Sequence, residues 1–244
     1  MEVKVIGCST TWSDRPMSSY CIDGSILVDC GEGTPKSYKK NGIYFLDIDH
    51  IFITHYHSDH VAGICMFLAQ EIGYAKPETM KRLTVYGPKG LLNCLNALKD
   101  YVVIGGEFAR SVNLTDYINV VEIDNLDKII NAGKYKVKPF EVHHIEGALC
   151  LAYVFYDNDV RVGFSGDCTY DDKLLEFIQN VDSAFLECCN FKTSKAHLGL
   201  DKYLEIQNSN PQKNFIAIHT VDKIFLNEKA YPIKFAHDTD IYNF

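Results

Sequence analysis

The chain has 244 residues, 47% of them hydrophobic and 23% charged, which is long enough to bury a sizeable core and ordinary for a globular protein. Its formal net charge of −8 weighs against bulk binding of a long polyanion such as nucleic acid, although a local basic patch could still hold one phosphate. No apolar run is long enough to cross a bilayer, and residues 3–6 read as a strand where a secretory leader would carry its apolar segment, so neither an anchor nor a leader is expected.

In chain order, residues 2–7 form a short strand that empties into the small-residue turn Cys8-Ser9-Thr10-Thr11. Residues 20–29 read as a hairpin turning at Asp23-Gly24. Its second strand runs into Asp29-Cys30-Gly31-Glu32-Gly33-Thr34. A Gly-rich loop that opens a helix can offer free backbone N–H groups to an anion, and a tight turn before a helix with a solvated lysine face is the alternative.

The densest chemistry follows. Thr54-His55-Tyr56-His57-Ser58-Asp59-His60 places three imidazoles and a carboxylate directly after Ile51-Phe52-Ile53. Alternation at Ile51 and Ile53 predicts a strand, and the recurrence of Val61, Ile64, Cys65, Leu68 and Ile72 predicts a helix, so these side chains sit in the turn between them. Residues two apart on an extended segment point the same way, so His55 and His57 can grip one cation while Asp59 and His60 face a second. Imidazole with carboxylate suits Zn²⁺, and with less preference Mn²⁺ or Fe²⁺.

Residues 83–86 are a short strand closed by Gly87-Pro88, and 91–98 are helical; 101–127 carry weak signals and no assigned chemistry. A turn at 131–134 leads into a strand over 135–144. Loops such as 75–80 and 105–115 are expected to shape substrate choice. Three later strands repeat one pattern: 137–142 ends in His143-His144, 160–164 in Ser165-Gly166-Asp167, and 215–218 in His219. Each delivers a ligand-type residue at its C-terminal end, as a site on the rim of a sheet requires. The nine cysteines are irregularly spaced and mixed into apolar runs, which suits a reducing compartment and predicts a cytoplasmic location. Cys188-Cys189 is a thiol metal site, a redox pair or neither. With no repeat or linker, residues 1–244 are expected to form a single domain.

His55-Tyr56-His57-Ser58-Asp59-His60 resembles the HxHxDH motif of the metallo-β-lactamase superfamily, and the similarity runs through nearly the whole chain. The resemblance implies an α/β fold, a four-layer αββα sandwich of two mixed β-sheets with a metal site at one edge. It implies two divalent ions: His55, His57 and a later His on one, Asp59, His60 and His219 on the other, with Asp167 bridging both. Strand parity sets His144 on the side of Phe140 and Val142, and the family's spacing agrees, so His144 is the expected later ligand and His143 the alternative. Two divalent ions would halve the negative charge.

Within the superfamily the similarity points to the ribonuclease Z branch and its phosphodiesterase relatives. Asp29 to Thr34 resembles that branch's Gly-rich loop, residues 83–88 its strand followed by Tyr-Gly-Pro, and Phe164-Ser165-Gly166-Asp167 its bridging-Asp motif. Ala196-His197-Leu198 falls where the branch carries a non-ligand His that assists phosphodiester cleavage. One departure stands out: ribonuclease Z typically inserts a long tRNA-gripping arm between the later His and the bridging Asp, whereas here residues 145–166 leave room only for a hairpin through Asp157-Asn158-Asp159. The expected substrate is therefore a small phosphodiester, such as a cyclic nucleotide, a cyclic phosphate or a short oligonucleotide. Ribonuclease Z-like tRNA 3′ cleavage, lactone or thioester hydrolysis, and a catalytically silent metal-binding protein are the alternatives. In this scheme Asp59 and Asp167 hold the ions and help orient a hydroxide, and His197 donates a proton to the leaving alkoxide or stabilises the phosphorane. Lys192 and Lys195 either meet a phosphate or are solvated, and His50 and His237 are structural. No stable nucleic-acid complex and no membrane attachment are expected; a homodimer is allowed by the resemblance.

Overall fold

The computed structural model of the chain describes residues 1–74, 83–100 and 111–244. The loop at 75–80 and residues 105–110 of the second expected specificity loop lie outside the described residues. Strands β1 (Glu2–Gly7), β2 (Ser19–Ile22), β3 (Ile26–Val28), β4 (His50–Phe52), β5 (Thr84–Pro88) and β6 (Asn119–Ile123) lie side by side in sequence order. A second sheet takes β7 (Ile130–Ala132), β8 (Tyr135–Val142), β9 (Cys150–Asp157), β10 (Val160–Phe164), β11 (Ser183–Glu187), β12 (Asn214–Ile218) and β13 (Lys234–Phe235), also in sequence order. The chain then crosses back, and β14 (Ile241–Asn243) pairs antiparallel with β1 at the edge of the first sheet.

Both sheets are mixed. In the first, β3 to β6 are mutually parallel while β1 to β3 alternate; in the second, β10 to β13 are parallel while β7 to β10 alternate. Because β8 and β10 both run antiparallel to β9, their C-terminal ends lie at the same edge as those of β11 and β12. That edge collects the strand-end residues.

The period-2 alternation of a strand explains the layering. Val28 and Phe52 point between the sheets and meet Tyr153, Phe155 and Phe164, whereas Leu27, Ile51 and Ile53 point outward beneath helices. On that outer face lie α1 (Thr34–Tyr38), α2 (Ser58–Val61), α3 (Cys65–Tyr74) and α4 (Leu91–Leu98). The second sheet is covered by α5 (Asp172–Gln179), α6 (Leu200–Ser209) and α7 (Asp222–Phe225), with Leu174, Phe177, Tyr203 and Ile224 on Val154, Ala184, Leu186 and Ala217. The outcome is the expected four-layer αββα sandwich. Each fully buried large apolar side chain contributes about 1.5–3 kcal/mol, and the core needs no covalent cross-link: all nine cysteines are free. Among the described residues no helix is long and apolar enough to cross a membrane.

Two local expectations are corrected. The helix after the His cluster is not continuous: α2 gives way to a 3₁₀ turn over Ala62–Ile64 before α3. The Gly63 N–H leaves the helical ladder to donate to Cys30 O at 2.8 Å. A Cβ at Gly63 would stand 2.4 Å from Gly31 O, so only glycine permits this approach. The expected turn at 131–134 starts later, since Ile130–Ala132 is a strand paired with β8.

Candidate metal centre

Seven sequence-predicted side chains come together at the shared edge. His55, His57, His144 and Asp167 bring one ligand atom each to within 4.8 Å of one another, and Asp59, His60 and His219 do the same beside them. Asp167 stands between the groups. Its Oδ2 lies 3.9 Å from His55 Nε2 and 3.5 Å from His144 Nε2, while Oδ1 lies 3.1 Å from His60 Nε2 and 3.4 Å from His219 Nδ1. His57 Nδ1 is 3.0 Å from His144 Nε2, and Asp59 Oδ2 is 3.1 Å from His219 Nε2.

The chain's own hydrogen bonds orient these rings. His60 Nδ1–H donates to Asp29 Oδ2 at 2.7 Å, which turns Nε2 into the site, and Asp29 is fixed in turn by the Thr54 amide at 2.8 Å. His144 Nδ1–H donates to Ala196 O at 2.7 Å and likewise frees Nε2. Thr11 Oγ1 donates to Asp59 Oδ2 at 2.8 Å. Such outer partners set ring orientation and ligand basicity at metal sites. Asp29 and His219, at the ends of β3 and β12, have φ 56 and 51. Non-glycine residues seldom adopt this left-handed region, and the loops hold them there to aim their side chains.

Buried His55 Nε2, His60 Nε2 and Asp167 Oδ1 have no hydrogen-bond partner. A single unsatisfied buried polar atom costs about 1–3 kcal/mol, and these three converge on one small volume. Cations placed there would satisfy all of them, so the residues present fit a dinuclear site. The electrostatics agree. Burial works to raise the Asp167 carboxyl, yet the imidazoles of His219, His60 and His55 hold it well below the usual carboxylate range. Burial works to lower His60, but Asp167 and Asp29 push it up to about 10. The carboxylates thus demand positive charge at these rings, which a metal cation supplies in place of a proton.

The remaining expected residues fall in different places. His143 points outward, with Nδ1 2.6 Å from Asp171 Oδ2, and lies apart from the cluster. Lys192 is exposed and 3.7 Å from Asp201 Oδ2. Lys195 lines a hollow of about 790 Å³ beside His143 and His144. His50 Nδ1 lies 3.4 Å from Tyr86 Oη, and His237 pairs with Glu228 at 2.8 Å. Cys188 is buried and lies outside any donor group among the described residues, whereas Cys189 brings its thiol within 4.8 Å of ligand atoms of Glu187, His197 and His219, a third set of metal-competent donors. Most of the Gly-rich loop's amides are used within the chain. The N–H groups of Cys30, Gly31, Thr34 and Lys36 are spent on the carbonyls of His60, Ser18, Gly31 and Gly33, and a Cβ at Gly31 would lie 2.2 Å from Asp59 O. Its role is to pack against the His cluster.

His197 lines the cleft that opens on the cluster, about 470 Å³ in volume, with Asp59, Asp167 and His219. Its Nδ1–H donates to Glu187 Oε1 at 2.6 Å. Burial works to lower this imidazole, while contacts with Cys189 and Glu187 push it up to about 10. Glu187, fully buried at the end of β11, was not singled out by sequence reasoning. The signal existed: Ser183–Glu187 is one more apolar strand that ends in a carboxylate. Asp29 carries no local sign that it partners His60, 31 positions away.

Residues 17–242 match the sequence family described as anti-Pycsar protein Apyc1. The chain belongs to that family. This chain has the metallo-β-lactamase fold, and its sequence is similar to ribonuclease Z proteins. Ribonuclease Z of Agathobacter rectalis is 33% identical over 129 residues, 53% of this chain and 38% of that protein. Ribonuclease Z of Thermoplasma acidophilum is 45% identical over 199 residues, 64% of this chain and 62% of that protein. The chain therefore spans less than two thirds of the length of these relatives. The metallo-β-lactamase-fold protein YhfI from Bacillus subtilis superposes with a TM-score of 0.76 at 20% identity, covering 99% of this chain and 98% of YhfI. A diphosphatase of the PhnP family gives 0.74 at 19% identity, covering 100% and 97%. At such identities these two likenesses speak for the fold.

Proposed function

We propose that this Apyc1-family chain is a metal-dependent phosphodiesterase for a small phosphodiester, such as a cyclic nucleotide, a cyclic phosphate or a short oligonucleotide, with zinc as its native cation. The observation that carries it is the His197–Glu187 pair. His197 stands over the cluster with Nδ1 engaged by a buried carboxylate, so Nε2 is the nitrogen left for the substrate. Contacts with Cys189 and Glu187 raise the proton affinity of this ring against the effect of burial. A phosphodiester expels a poor alkoxide leaving group, and a poised proton donor meets that need.

The His-rich, carboxylate-containing donor set suits zinc, with manganese or iron as weaker fits. When bound, two such cations supply a water acidified toward neutral pH and positive charge for the non-bridging phosphate oxygens. The chain's residues do the rest. Asp59, held by Thr11, and Asp167 orient the nucleophile. His197 gives its Nε2 proton to the departing oxygen, and Glu187 steadies the ring through Nδ1. Residues 145–166 are occupied mainly by the β9–β10 hairpin, which leaves no long arm between His144 and Asp167 and suits small substrates. The net charge of −8 argues against a lasting complex with a long nucleic acid, and nine free cysteines suit action in the cytoplasm.

Cleavage of tRNA 3′ ends is the second reading, favoured by the ribonuclease Z likeness over 53% of the chain. A substrate panel on the zinc-loaded protein separates the cases. Turnover of bis-p-nitrophenyl phosphate and a cyclic nucleotide, lost on chelation, is the expected result. Turnover of precursor tRNA alone would favour the second reading, and hydrolysis of lactones or glutathione thioesters alone would overturn both.

A further inference from the structure

The loop between β1 and β2 carries the chain's single tryptophan. Trp12 is 98% exposed and has φ 73, an orientation and a backbone conformation that a bulky apolar residue normally avoids. The loop around it is firmly tied. Ser9 Oγ donates to Pro16 O at 2.9 Å, Thr11 Oγ1 to Asp59 Oδ2 at 2.8 Å, and Ser13 Oγ to Asp222 Oδ1 at 2.9 Å. The Arg15 guanidinium reaches Asp222 Oδ1 at 3.1 Å and Thr220 O at 3.0 Å, and lies over the Phe225 ring at 3.7 Å. These bonds on either side hold the indole out in solvent, where it lines the same cleft as Asp59, Asp167 and His197.

Trp12 is the one large apolar ring on that rim among the described residues; most of the remaining lining is polar or ionisable. Such a lining can meet phosphate oxygens and cations, and its imidazoles belong to the cluster or are engaged by Glu187, which leaves the indole as the one broad apolar face for the planar part of a nucleotide. Base stacking on an aromatic ring is tolerant of base identity because every base has a π-face. We propose that Trp12 is a substrate-positioning platform on which the cleft stacks the nucleobase of its phosphodiester. This rests on the phosphodiesterase assignment above.

The lone tryptophan makes the test direct. In the zinc-loaded protein, AMP and CMP are expected to quench Trp12 fluorescence on binding, and ribose 5-phosphate, which lacks a base, is not. Calorimetry of Trp12→Ala is expected to show about 10- to 100-fold weaker binding of both nucleotides, with ribose 5-phosphate unaffected and Trp12→Phe restoring most of the loss. Equal nucleotide affinity in wild type and Trp12→Ala would overturn the proposal, as would the absence of any nucleotide binding. An emission change that follows protein concentration and ignores nucleotide would show that a second copy covers the indole, which also overturns it. Turnover of bis-p-nitrophenyl phosphate by the wild type judges the phosphodiesterase assignment separately.

Discussion

The Nδ1 of His197 and the Oε1 of Glu187 stand 2.6 Å apart, with the carboxylate fully buried and the imidazole at the rim of the cleft. The carboxylate is held from its other side as well, since Glu187 Oε2 accepts the amides of Cys168 and Leu198 at 2.9 Å each. The Leu198 amide belongs to the residue after His197, so ring and backbone of one loop are fastened to one side chain. His197→Ala is expected to lower phosphodiester turnover by ~10²–10⁴ with zinc content unchanged by elemental analysis, and Glu187→Gln to lower it in the same sense. Loss of zinc from His197→Ala would make His197 a ligand and remove the role proposed for it.

His143 and His144 are adjacent, yet only His144 approaches Asp167, at 3.5 Å. His144→Ala is expected to lose bound zinc and activity, whereas His143→Ala keeps both. Metal analysis of the two purified variants decides between them, and the reverse result would exchange their assignments.

Asp29 touches no proposed cation but receives the His60 Nδ1 proton at 2.7 Å. Asp29→Asn is expected to weaken zinc binding about 10- to 100-fold while the fold persists. Competition against a chromogenic chelator measures it, and unchanged affinity would show that the aim of His60 does not depend on Asp29.

A methyl group at Gly63 would press on backbone, with Gly31 O at 2.4 Å and Cys30 O at 2.8 Å. Backbone cannot step aside as a flexible side chain can. Gly63→Ala is expected to cost about 1–3 kcal/mol in urea unfolding. It should also weaken metal binding, because the same contact positions the strand that carries Asp29.

Acid stability has a traceable contributor at Asp23. Burial works to raise its carboxyl, but the Tyr135 hydroxyl, the Glu2 amide and Lys134 bring it below its ordinary value of 3.8. A carboxyl depressed in the folded state adds stability above its unfolded value, and that stability is lost as pH falls toward the folded one. Asp23→Asn, which tolerates the same φ of 45, is therefore expected to lose less stability than the wild type between about pH 6 and pH 3. Urea midpoints across that range check it; parallel losses would rule out this contribution.

What the sequence discloses is local. His55 to His60 form one turn, and the strand parity that separates His144 from His143 is a property of a single segment. Asp167 and His219 are single residues, recognisable because each closes an apolar strand. Glu187 closes such a strand too, but its meaning depends on His197, which arrives from a separate loop ten residues later. The bond between Asp29 and His60 spans 31 positions, and no periodicity connects them. The break at Gly63 and the use of the Cys30 and Gly31 amides follow from backbone contacts between distant segments, and composition carries no trace of those.

The return of β14 to the first sheet has an engineering corollary. A cut within the mostly exposed stretch 124–129 would leave one piece with His55, His57, Asp59 and His60 and an unpaired β1 edge. The other piece would carry His144, Asp167 and His219 and a tail seeking that edge. Neither piece could assemble the whole cluster, so the chain offers itself as a split reporter whose signal returns only when the two fragments reunite.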